Sequence, residues 1–465
     1  MNSSPGSLRA VILAAGLGTR MKSRLPKVLH PICGRPMLAY VIDAAREATG
    51  DKPLVVYSPA TEQLREVFAS EADFALQDEP RGTADALRAA LDALPADVEQ
   101  IVVLSGDVPL IEVASIGALV EARRARGGPM ALAAVDAEDA TGYGRIVLDG
   151  ADSVARIVEE KDATDDEREV TLYNGGLYAF DAAWLRRALP NVEPSPTSGE
   201  LYLTALVEVA RAEGSPALAV REPSDFDWEW EFAGINDRED LADAQAAMLA
   251  ERVLAPLMRA GVTIHDPATT YVDATVEIGE DVTLEPNVTL KGRTRIGRDT
   301  VIKSGSQVID STIGERCTVW ASVIEGSTIG DDVNVGPFAH IRPGCEIGDD
   351  AEIGNYAEMK QTRFGARSKQ HHFSYLGDAE IGADVNIGAG TITANFDGKA
   401  KQRTVIGDRA FIGSDTILRA PVTIGEDAVT GAGSVVTRDV PAGKLAVGVP
   451  ARIRERSQSP GSGAS

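Results

Sequence analysis

A glycine-rich turn followed by a basic residue is the first candidate for chemistry in this sequence. The apolar run Ala10–Leu13 leads into Gly16-Leu-Gly-Thr-Arg20. Such a turn can bring backbone N–H groups close to phosphates, and an arginine adds a charged fork. Met21 stands where a dinucleotide-binding fingerprint has its third glycine, and no Gly-Lys-Ser/Thr follows, which excludes a P-loop. Taken alone, the turn leaves open either a phosphate site or an ordinary turn.

A pair of adjacent histidines is the second candidate. The chain has only five histidines, and His371 and His372 precede Tyr375 in a stretch where a regular apolar repeat is interrupted. Imidazole titrates near neutral pH, so it is suited to proton transfer. The alternatives are a solvated loop and a metal site. Neighbours in extended backbone point to opposite faces, which argues against one shared metal ion.

The first half of the chain alternates strand-like and helical patterns. This alternation predicts an α/β fold of the Rossmann-like kind, with a mostly parallel sheet covered on both faces. Ligands of such sheets bind at the carboxyl ends of the strands, where the glycine-rich turn and Ser105-Gly-Asp107 lie. The predicted strands are Ala10–Leu13, Leu54–Tyr57, Ile101–Leu104 and Met130–Val135, and the predicted helices include Ala84–Ala93 and Ile116–Arg126.

In the second half an aliphatic residue returns every six positions. This period fits neither a helix nor a half-buried strand, and it predicts a solenoid of very short strands around a narrow core. Glycines that follow many of these residues are expected at tight corners with positive φ. The register breaks between Met359 and Ile381 and between Ile387 and Ile406, and both breaks are predicted to be loops. The three series are Ile278, Leu284, Leu290, Ile296, Ile302 and Val308; Ile329, Val335, Ile341, Ile347, Ile353 and Met359; and Ile406, Ile412, Leu418 and Ile424.

Length and composition limit the class of protein. At 465 residues the chain is too long for one ordinary core, and its 44% hydrophobic and 25% charged residues are typical of a soluble globular protein. The net charge of −24 argues against nucleic acid and anionic membranes as partners. Cys33, Cys317 and Cys345 form no CxxC motif, so we expect free thiols in a reducing cytoplasm. No apolar run approaches the roughly 18 residues of a membrane span.

A helical pattern rich in Ala, Leu, Glu and Arg separates the two halves. Asn236-Asp237 can cap its start, and Gly261 can end it. We therefore expect an α/β domain at residues 1–238, a helical linker at 239–259 and a solenoid domain at 260–465 that ends in a disordered tail.

The motifs of the first half, in their order, resemble the signature of the sugar-1-phosphate nucleotidyltransferases. Ser105 stands where some relatives have Tyr. The motifs are Leu13-Ala14-Ala15-Gly16-Leu-Gly-Thr-Arg20-Met21, Leu25-Pro-Lys27, Gln77 with Gly82-Thr83-Ala84, Ser105-Gly106-Asp107, Gly142-Tyr-Gly144-Arg145, Ile157-Val-Glu159 with Lys161-Asp162, Tyr173-Asn174-Gly-Gly and Gly234-Ile-Asn236.

This resemblance implies a site for a nucleoside triphosphate and a sugar phosphate. Arg20 and Lys27 are the implied catalytic cations, because two polyanions must be brought together. Asp107 and Asn236 match the family's ligands for Mg²⁺, a hard cation that prefers a few oxygen ligands. The alternatives are an Asx turn for Asp107 and a helix N-cap for Asn236. The other implied contacts are Leu13, Ala14, Ala15, Gly16, Ser105 and Gly106, with Gln77, Gly82 and Thr83 at the base and Gly144, Glu159 and Asn174 at the sugar.

The interrupted repeat resembles the bacterial bifunctional family that makes UDP-N-acetylglucosamine. The resemblance covers about residues 9 to 440 and implies a uridylyltransferase joined to a left-handed parallel β-helix that transfers acetyl groups. In that family, acetyl-CoA acetylates glucosamine-1-phosphate, and N-acetylglucosamine-1-phosphate then attacks UTP and releases pyrophosphate. The resemblance rests on Ile341-Arg342-Pro-Gly344, Glu358-Met-Lys360, His371-His372-Phe-Ser-Tyr375-Leu-Gly-Asp378, Val385-Asn386-Ile-Gly-Ala-Gly390 and Ala394-Asn395-Phe-Asp-Gly-Lys-Ala-Lys401.

The same resemblance implies roles for residues of the second half. His372 matches the general base that takes a proton from the attacking amine, and the His-x-x-Tyr spacing selects it over His371. Arg342 and Lys360 match cations for the sugar phosphate, and Glu358 is expected to orient His372. The other implied contacts are Tyr375, Asn386, Asn395, Phe396 and Lys401 at the acetyl-transfer site, and Ala389, Asn395, Phe396, Ser414 and Ala432 for acetyl-CoA.

One segment departs from the family pattern. Several relatives carry a basic residue near the C-terminus that meets the CoA phosphates, whereas this chain has Val447-Gly448-Val-Pro-Ala-Arg452. Arg452 is the candidate substitute for that residue.

Two other interpretations stay open from the sequence. One is a nucleotidyltransferase whose β-helix is only an oligomerisation platform, and the two interruptions of the repeat count against it. The other is a sugar-nucleotide sensor without catalysis, and Asp107 together with Asn236 counts against that. For the leading interpretation we expect a cytoplasmic homotrimer assembled through the β-helices.

Overall fold

The computed structural model describes residues 7–222 and 228–455 and divides into two compact units, residues 1–248 and 249–465. The predicted disordered tail lies almost entirely outside the described residues.

A nine-stranded sheet forms the centre of the first unit. The strands of this unit are β1 (Leu8–Leu13), β2 (Pro31–Ile32), β3 (Arg35–Pro36), β4 (Leu54–Tyr57), β5 (Asp73–Leu76), β6 (Gln100–Ser105), β7 (Met130–Asp136), β8 (Arg145–Leu148), β9 (Val154–Val158), β10 (Leu172–Asp181) and β11 (Leu218–Arg221). The main strand order is β11-β7-β10-β6-β1-β4-β5, while β8 and β9 extend from β10 and β2 pairs only with β3. β1 is parallel to β4 and β6, so the carboxyl ends of these central strands lie at one edge of the sheet.

Helices supply the apolar side chains that cover this sheet. Their bounds are α1 (Met37–Thr49), α2 (Leu64–Val67), α3 (Thr83–Ala93), α4 (Val113–Arg126), α5 (Asp165–Arg168), α6 (Ala182–Ala188), α7 (Leu206–Ala212), α8 (Trp228–Glu231) and α9 (Arg238–Ala247). Leu87 of α3, Leu185 of α6 and Leu206 of α7 are fully buried with Val103 of β6 in one core cluster. The predicted α/β architecture is confirmed.

An antiparallel strand lies in the middle of the sheet. β10 is antiparallel to both β6 and β7, and its register shifts between Asn174 and Tyr178. A bulge of this kind bends a strand and redirects its side chains. The sequence predicted a mostly parallel sheet, which is correct, but it did not predict this antiparallel insertion.

The helical pattern predicted after the α/β domain is also present. Asp237 caps α9, because its carboxylate accepts hydrogen bonds from the backbone N–H groups of Glu239 and Asp240. A π-helical stretch at Met248–Leu254 and helix α10 (Ala255–Arg259) follow.

The second unit is a parallel β-helix with three sheets. The first sheet contains Thr263–Ile264, Thr283–Leu284, Val301–Ile302, Thr318–Val319, Asn334–Val335, Glu352–Ile353, Lys369–Gln370, Asn386–Ile387, Phe411–Ile412, Val429–Thr430, Leu445–Gly448 and Ala451–Arg454. The second contains Tyr271–Val272, Thr289–Lys291, Gln307–Ile309, Val323–Glu325, His340–Ile341, Ala357–Lys360, Ser374–Gly377, Ile392–Ala394, Ile417–Arg419 and Val435–Val436. The third contains Glu277–Ile278, Arg295–Ile296, Thr312–Ile313, Thr328–Ile329, Glu346–Ile347, Arg363–Phe364, Ala379–Ile381, Thr404–Ile406 and Val422–Ile424.

The six-residue series forms the narrow core of this β-helix. Every member is buried except Ile278, which is half-buried in an early coil. The expectation of positive φ at the following glycines is wrong, because Gly348 and its counterparts have ordinary φ values. These positions are glycines because neighbouring coils of the β-helix approach each other closely. A Cβ on Gly348 would lie only 2.6 Å from the backbone nitrogen of Ala366 in the next coil. Positive φ occurs instead at corner residues such as Asp350 and Asp384.

Of the two predicted loops, only the second exists. Between Met359 and Ile381 the coil continues without an insertion, with Phe364, Gln370 and Leu376 in the core, all fully buried. The buried polar Gln370 hid the repeat in the sequence, so that loop prediction is wrong. Between Ile392–Ala394 and Thr404–Ile406 a loop does leave the β-helix.

Candidate functional site

The glycine-rich turn lies at the carboxyl end of β1. Gly18 has a φ of 58°, and a Cβ at this position would lie 2.5 Å from the Cβ of Lys27, so glycine allows the two segments to approach closely. Nearby backbone is held in place by hydrogen bonds, from the Gly106 N–H to the Leu13 carbonyl (2.9 Å) and from the Ser58 hydroxyl to the Ala15 carbonyl (2.9 Å).

Four predicted site residues from distant parts of the chain meet beside this turn. The Lys27 ammonium donates to the Asp107 carboxylate and lies 3.4 Å from Oδ1 of Asn236. Arg20 donates to the same Asn236 oxygen at 2.8 Å. The side chains of Lys27 and Asp107 are 14% and 24% exposed, so they are shielded yet accessible to a ligand. The arrangement combines two cations with two oxygens that could bind a metal ion.

The oxygens of Asp107 and Asn236 can converge on one cation. Both already face a single positive group, the Lys27 ammonium. Among the described residues no cluster of three or more His, Cys, Asp or Glu side chains could hold a metal by itself. One carboxylate and one amide oxygen suit Mg²⁺, which keeps several waters and takes further oxygens from phosphates.

The predicted base-reading segment forms a separate turn that is held by hydrogen bonds. Gln77 is buried, and its amide donates to the Gly82 carbonyl (3.1 Å) and to Asp85 (3.0 Å). Gly82 has a φ of 119°, and a Cβ there would lie 2.5 Å from the Leu201 carbonyl oxygen. The Thr83 hydroxyl accepts a hydrogen bond from the Leu203 N–H at 2.9 Å.

The three predicted sugar contacts lie together. The Asn174 N–H donates to the Gly144 carbonyl at 2.9 Å, and a Cβ on Gly144 would lie 3.5 Å from a carboxylate oxygen of Glu159. Glu159 accepts a hydrogen bond from Thr204 at 2.8 Å. Burial raises the pKa of Glu159, and the Thr204 hydrogen bond opposes this.

The structure adds contacts that the sequence did not assign. The Tyr143 hydroxyl accepts a hydrogen bond from the Gly234 N–H at 3.0 Å. Arg238 donates to the Met21 carbonyl at 3.2 Å and lies 3.4 Å from His30 Nδ1. Tyr143 belongs to the Gly142-Tyr-Gly144-Arg145 motif, and this motif is the sequence signal that points to it. No local pattern in the sequence links Arg238 to the glycine-rich turn.

The second unit carries a groove of about 520 Å³ along the first sheet. Five predicted positions line it: the predicted base His372, the substrate contact Asn386 and the acetyl-CoA positions Ala389, Ser414 and Ala432. Glycines on neighbouring coils leave a smooth wall of backbone and small side chains, which suits an extended ligand. Asn395 and Phe396 are not part of this lining.

Both adjacent histidines border the same groove. They lie in a bend between strands, with ring centroids 6.4 Å apart, so the opposite-face argument from extended backbone does not apply. His371 Nε2 lies 2.7 Å from Glu352, whose pKa is lowered by hydrogen bonds from Lys369 and then from His371. Within the described part of the chain, the His372 ring makes no hydrogen bond or ion pair and stands open to the groove.

Two predicted cations at the second sheet, Arg342 and Lys360, lie near Lys401 of the loop. The charge of Lys401, and after it that of Arg342, lowers the pKa of Lys360. Such crowding of positive charge favours an anionic ligand. Glu358 pairs with Arg342 at 2.8 Å, so the expectation that it orients His372 is not supported.

An acidic residue joins the predicted loop to this cluster. Asp378 accepts a hydrogen bond from Asn395 at 2.5 Å and lies 4.0 Å from the Lys401 ammonium. Asp378 belongs to one of the motifs of the sequence, but its role was not predicted.

Tyr375 and Asn395 lie at the second sheet, whereas Arg452 lies at the end of the first sheet. A Cβ on Gly377 would lie 2.6 Å from the Tyr375 ring carbon that carries the hydroxyl and 2.7 Å from the Asn395 amide nitrogen, so these two side chains meet above the second sheet. Arg452 lies opposite Val447 in the hairpin that ends the first sheet. Val447 in turn approaches Gly431, which lines the groove, so Arg452 is placed near its far end.

Known families match parts of both units. The MobA-like NTP transferase domain family matches residues 10–259, and the bacterial transferase hexapeptide family matches residues 326–361 and 403–438. The fold and these matches thus define a nucleotidyltransferase domain joined to a left-handed β-helix transferase domain.

Full-length relatives specify the family. Bifunctional protein GlmU of Caldanaerobacter subterraneus is 44% identical over 97% of this chain and 96% of its own. The protein of the same name from Rubrobacter xylanophilus is 46% identical over 97% of this chain and 94% of its own, and that of Geobacillus thermodenitrificans is 45% identical over 94% and 95%. The chain belongs to the family of bifunctional GlmU proteins.

Within the described residues, no helix combines the length and apolar character that crossing a bilayer requires.

Proposed function

We propose that the two units carry out consecutive steps of UDP-N-acetylglucosamine synthesis. The chain is a bifunctional transferase with an acetyltransferase and a nucleotidyltransferase activity. The β-helix unit acetylates glucosamine-1-phosphate with acetyl-CoA. The α/β unit transfers UMP from UTP to N-acetylglucosamine-1-phosphate and releases pyrophosphate. The product is a cell-wall precursor.

The meeting of Arg20, Lys27, Asp107 and Asn236 is the observation that carries the first activity. A phosphate oxygen of the sugar phosphate attacks the α-phosphorus of UTP, and the bond to the pyrophosphate oxygen breaks. Arg20 and Lys27 offset the charge that accumulates on the phosphate oxygens. Gln77, Gly82 and Thr83 are assigned to the uracil base, and Glu159 with Asn174 and Gly144 to the sugar.

Asp107 and Asn236 are the proposed ligands of Mg²⁺. When bound, this ion neutralises phosphate charge and holds the reacting groups in line. Asp107 and Asn236 would supply two oxygen ligands, and phosphates and waters would complete the coordination. Lys27 would release these oxygens and turn to a phosphate when substrate binds.

In the β-helix unit we assign His372 as the general base. The amine of glucosamine-1-phosphate attacks the thioester carbonyl carbon, a C–N bond forms and the C–S bond breaks. His372 takes the proton from the amine nitrogen, and the leaving thiolate of CoA receives a proton. The cations Arg342, Lys360 and Lys401 are assigned to the sugar phosphate, and the groove along Ala389, Ser414 and Ala432 to acetyl-CoA.

Two further properties belong to the proposal. The substrates are small metabolites, which suits a cytoplasmic enzyme. The β-helix presents flat faces through which we propose a homotrimer with acetyl-transfer sites completed by neighbours. Mass measurement in solution tests the assembly, and a monomer with full acetyl transfer would overturn it.

One coupled assay tests the two activities. It supplies glucosamine-1-phosphate, acetyl-CoA, UTP and Mg²⁺ and follows CoA and pyrophosphate separately. We expect CoA release without UTP, and pyrophosphate release that requires either acetyl-CoA or ready-made N-acetylglucosamine-1-phosphate. Pyrophosphate release without any CoA release would instead support the platform interpretation, against which the groove and the loop at residues 395–403 count.

A further inference from the structure

The orientation of the Asn236 side chain decides whether it offers an oxygen to a cation. An amide has an oxygen on one side and an NH₂ group on the other, and a metal ion accepts only the oxygen. Oδ1 of Asn236 faces the donors Arg20 and Lys27, at 2.8 and 3.4 Å. Neither cation can accept a hydrogen bond, so this orientation is the consistent one.

The other side of the amide is held by a single backbone carbonyl. Nδ2 of Asn236 donates to the Gly234 carbonyl at 3.1 Å. The backbone N–H of Asn236 donates to Asp240 at 2.7 Å, which fixes the main chain but not the direction of the amide. The position of Gly234 therefore controls whether the oxygen or the NH₂ group of the Asn236 amide points into the site.

Gly234 is itself anchored by a tyrosine from another part of the chain. The Gly234 N–H donates to the Tyr143 hydroxyl at 3.0 Å across 91 positions of sequence. The Tyr143 ring packs on the Tyr173 ring, with centroids 4.3 Å apart, and this packing restricts where the hydroxyl can lie. Burial raises the pKa of Tyr143, so the hydroxyl stays protonated at neutral pH.

We propose that Tyr143 is a positioning residue for the uridylyl-transfer site: its hydroxyl fixes Gly234, and Gly234 in turn holds the Asn236 amide with its oxygen toward the cation. Tyr143 acts through Asn236 and not on the substrate. This proposal rests on the proposed function of the α/β unit. It gives the tyrosine of the Gly-Tyr-Gly motif a role in the affinity of the site for metal.

Tyr143→Phe is a clean test, because it removes only the hydroxyl and keeps the ring packing. Losing one neutral hydrogen bond typically costs about 1 kcal/mol, which corresponds to roughly fivefold. We expect kcat of uridylyl transfer to fall about 5- to 10-fold, and the Mg²⁺ concentration for half-maximal rate to rise by a similar factor. Binding of Mn²⁺ in the presence of UTP, measured from the EPR signal of free Mn²⁺, should weaken by that factor. Acetyl transfer should stay within twofold.

A double-mutant cycle separates positioning from direct substrate contact. In an Asn236→Ala background, adding Tyr143→Phe should change neither rate nor Mn²⁺ binding by more than twofold, because the residue through which Tyr143 acts is gone. Tyr40→Phe is the matched control; it also removes a tyrosine hydroxyl that is hydrogen-bonded to the backbone, here by donating to the Ile32 carbonyl at 2.8 Å. It should leave Mn²⁺ binding unchanged.

Three results would overturn the proposal. These are unchanged Mn²⁺ binding in Tyr143→Phe, multiplicative losses in the double variant, or an equal loss of Mn²⁺ binding in Tyr40→Phe. Absence of uridylyl transfer in the wild-type protein would instead refute the proposed function, so the two failures are distinguishable.

Discussion

Lys27 donates a hydrogen bond to Asp107, although 80 residues separate them in the sequence. The pair forms because the turn after β1 and the turn after β6 lie side by side at the carboxyl edge of a parallel sheet. A cation and a carboxylate that hold each other without substrate can exchange these partners for a phosphate and a metal ion when substrate binds.

Replacing Asp107 should separate the two activities. Asp107→Ala removes the carboxylate of the proposed metal pair, and the loss of one transition-state electrostatic contact typically costs about 10²–10³ in rate. We expect a loss of this size in pyrophosphate release from UTP, with CoA release within twofold of wild type. Equal loss of both activities at a normal folded yield would contradict two independent sites.

The two adjacent histidines should differ strongly in effect. His372→Ala is expected to lower acetyl transfer by about 10²-fold or more, the usual scale for a general base. His371→Ala should cost less than about tenfold, because His371 is already paired with Glu352. The rate of CoA release measures both, and uridylyl transfer from ready-made N-acetylglucosamine-1-phosphate should be unaffected.

The pH profile provides the control for the histidine assignment. The ascending limb of acetyl transfer should disappear in His372→Ala and persist in His371→Ala. Since both rings border the groove, a larger loss in the His371 variant would transfer the role of base to the His371–Glu352 pair.

Glu159→Gln should make the α/β unit more stable at neutral pH. Burial raises the pKa of Glu159 above its ordinary value of 4.5, so the folded state binds this proton more tightly than the unfolded chain. The contribution of Glu159 to the free energy of unfolding is therefore most favourable below pH 4.5. This contribution is lost as the pH rises through the pKa of Glu159 in the folded state. We expect the variant's midpoint of thermal unfolding to be higher by about 2 °C at pH 8, with the difference vanishing near pH 4.

The exposed Glu208 on α7 supplies a matched control for this measurement. Glu208→Gln should leave the midpoint unchanged at both pH values. A midpoint that falls at pH 8 in Glu159→Gln would mean that its charge stabilises the fold.

Gly348→Ala should destabilise the β-helix although φ is ordinary there. The new Cβ would lie 2.6 Å from the Ala366 backbone nitrogen, so two coils must move apart. Overpacking of this kind costs about 1–3 kcal/mol. Thermal unfolding followed through acetyl transfer should show an earlier loss, while uridylyl transfer keeps its wild-type midpoint.

Gly117→Ala is the contrasting substitution. Gly117 lies within α4, and a Cβ at this position would meet no neighbouring segment within 4 Å. The change should stabilise the α/β unit by about 0.5–1 kcal/mol. If Gly348→Ala were as harmless as Gly117→Ala, the close approach of neighbouring coils would not explain why glycine follows the core residues of the β-helix.

The sequence by itself determined the features that are local or periodic. Almost every member of the six-residue series lies in the core of the β-helix, because each short strand contributes one side chain at a fixed interval. The early strands and helices of the α/β unit followed from apolar patterns, and the Asp237 cap from its residue type. The residue roles came from the ordered match to a family and not from physical chemistry alone.

Only the tertiary structure decided what depends on distant segments. The structure shows that Gly348 is a glycine because neighbouring coils approach closely, and not because its φ is positive. It also shows that the first predicted loop is a regular coil that buries Gln370. It brought Lys27 to Asp107 and Tyr143 to Gly234, contacts that join residues 80 and 91 positions apart. Such contacts are fixed by strand order and by the packing of turns at the sheet edge, and no local pattern in the sequence records them.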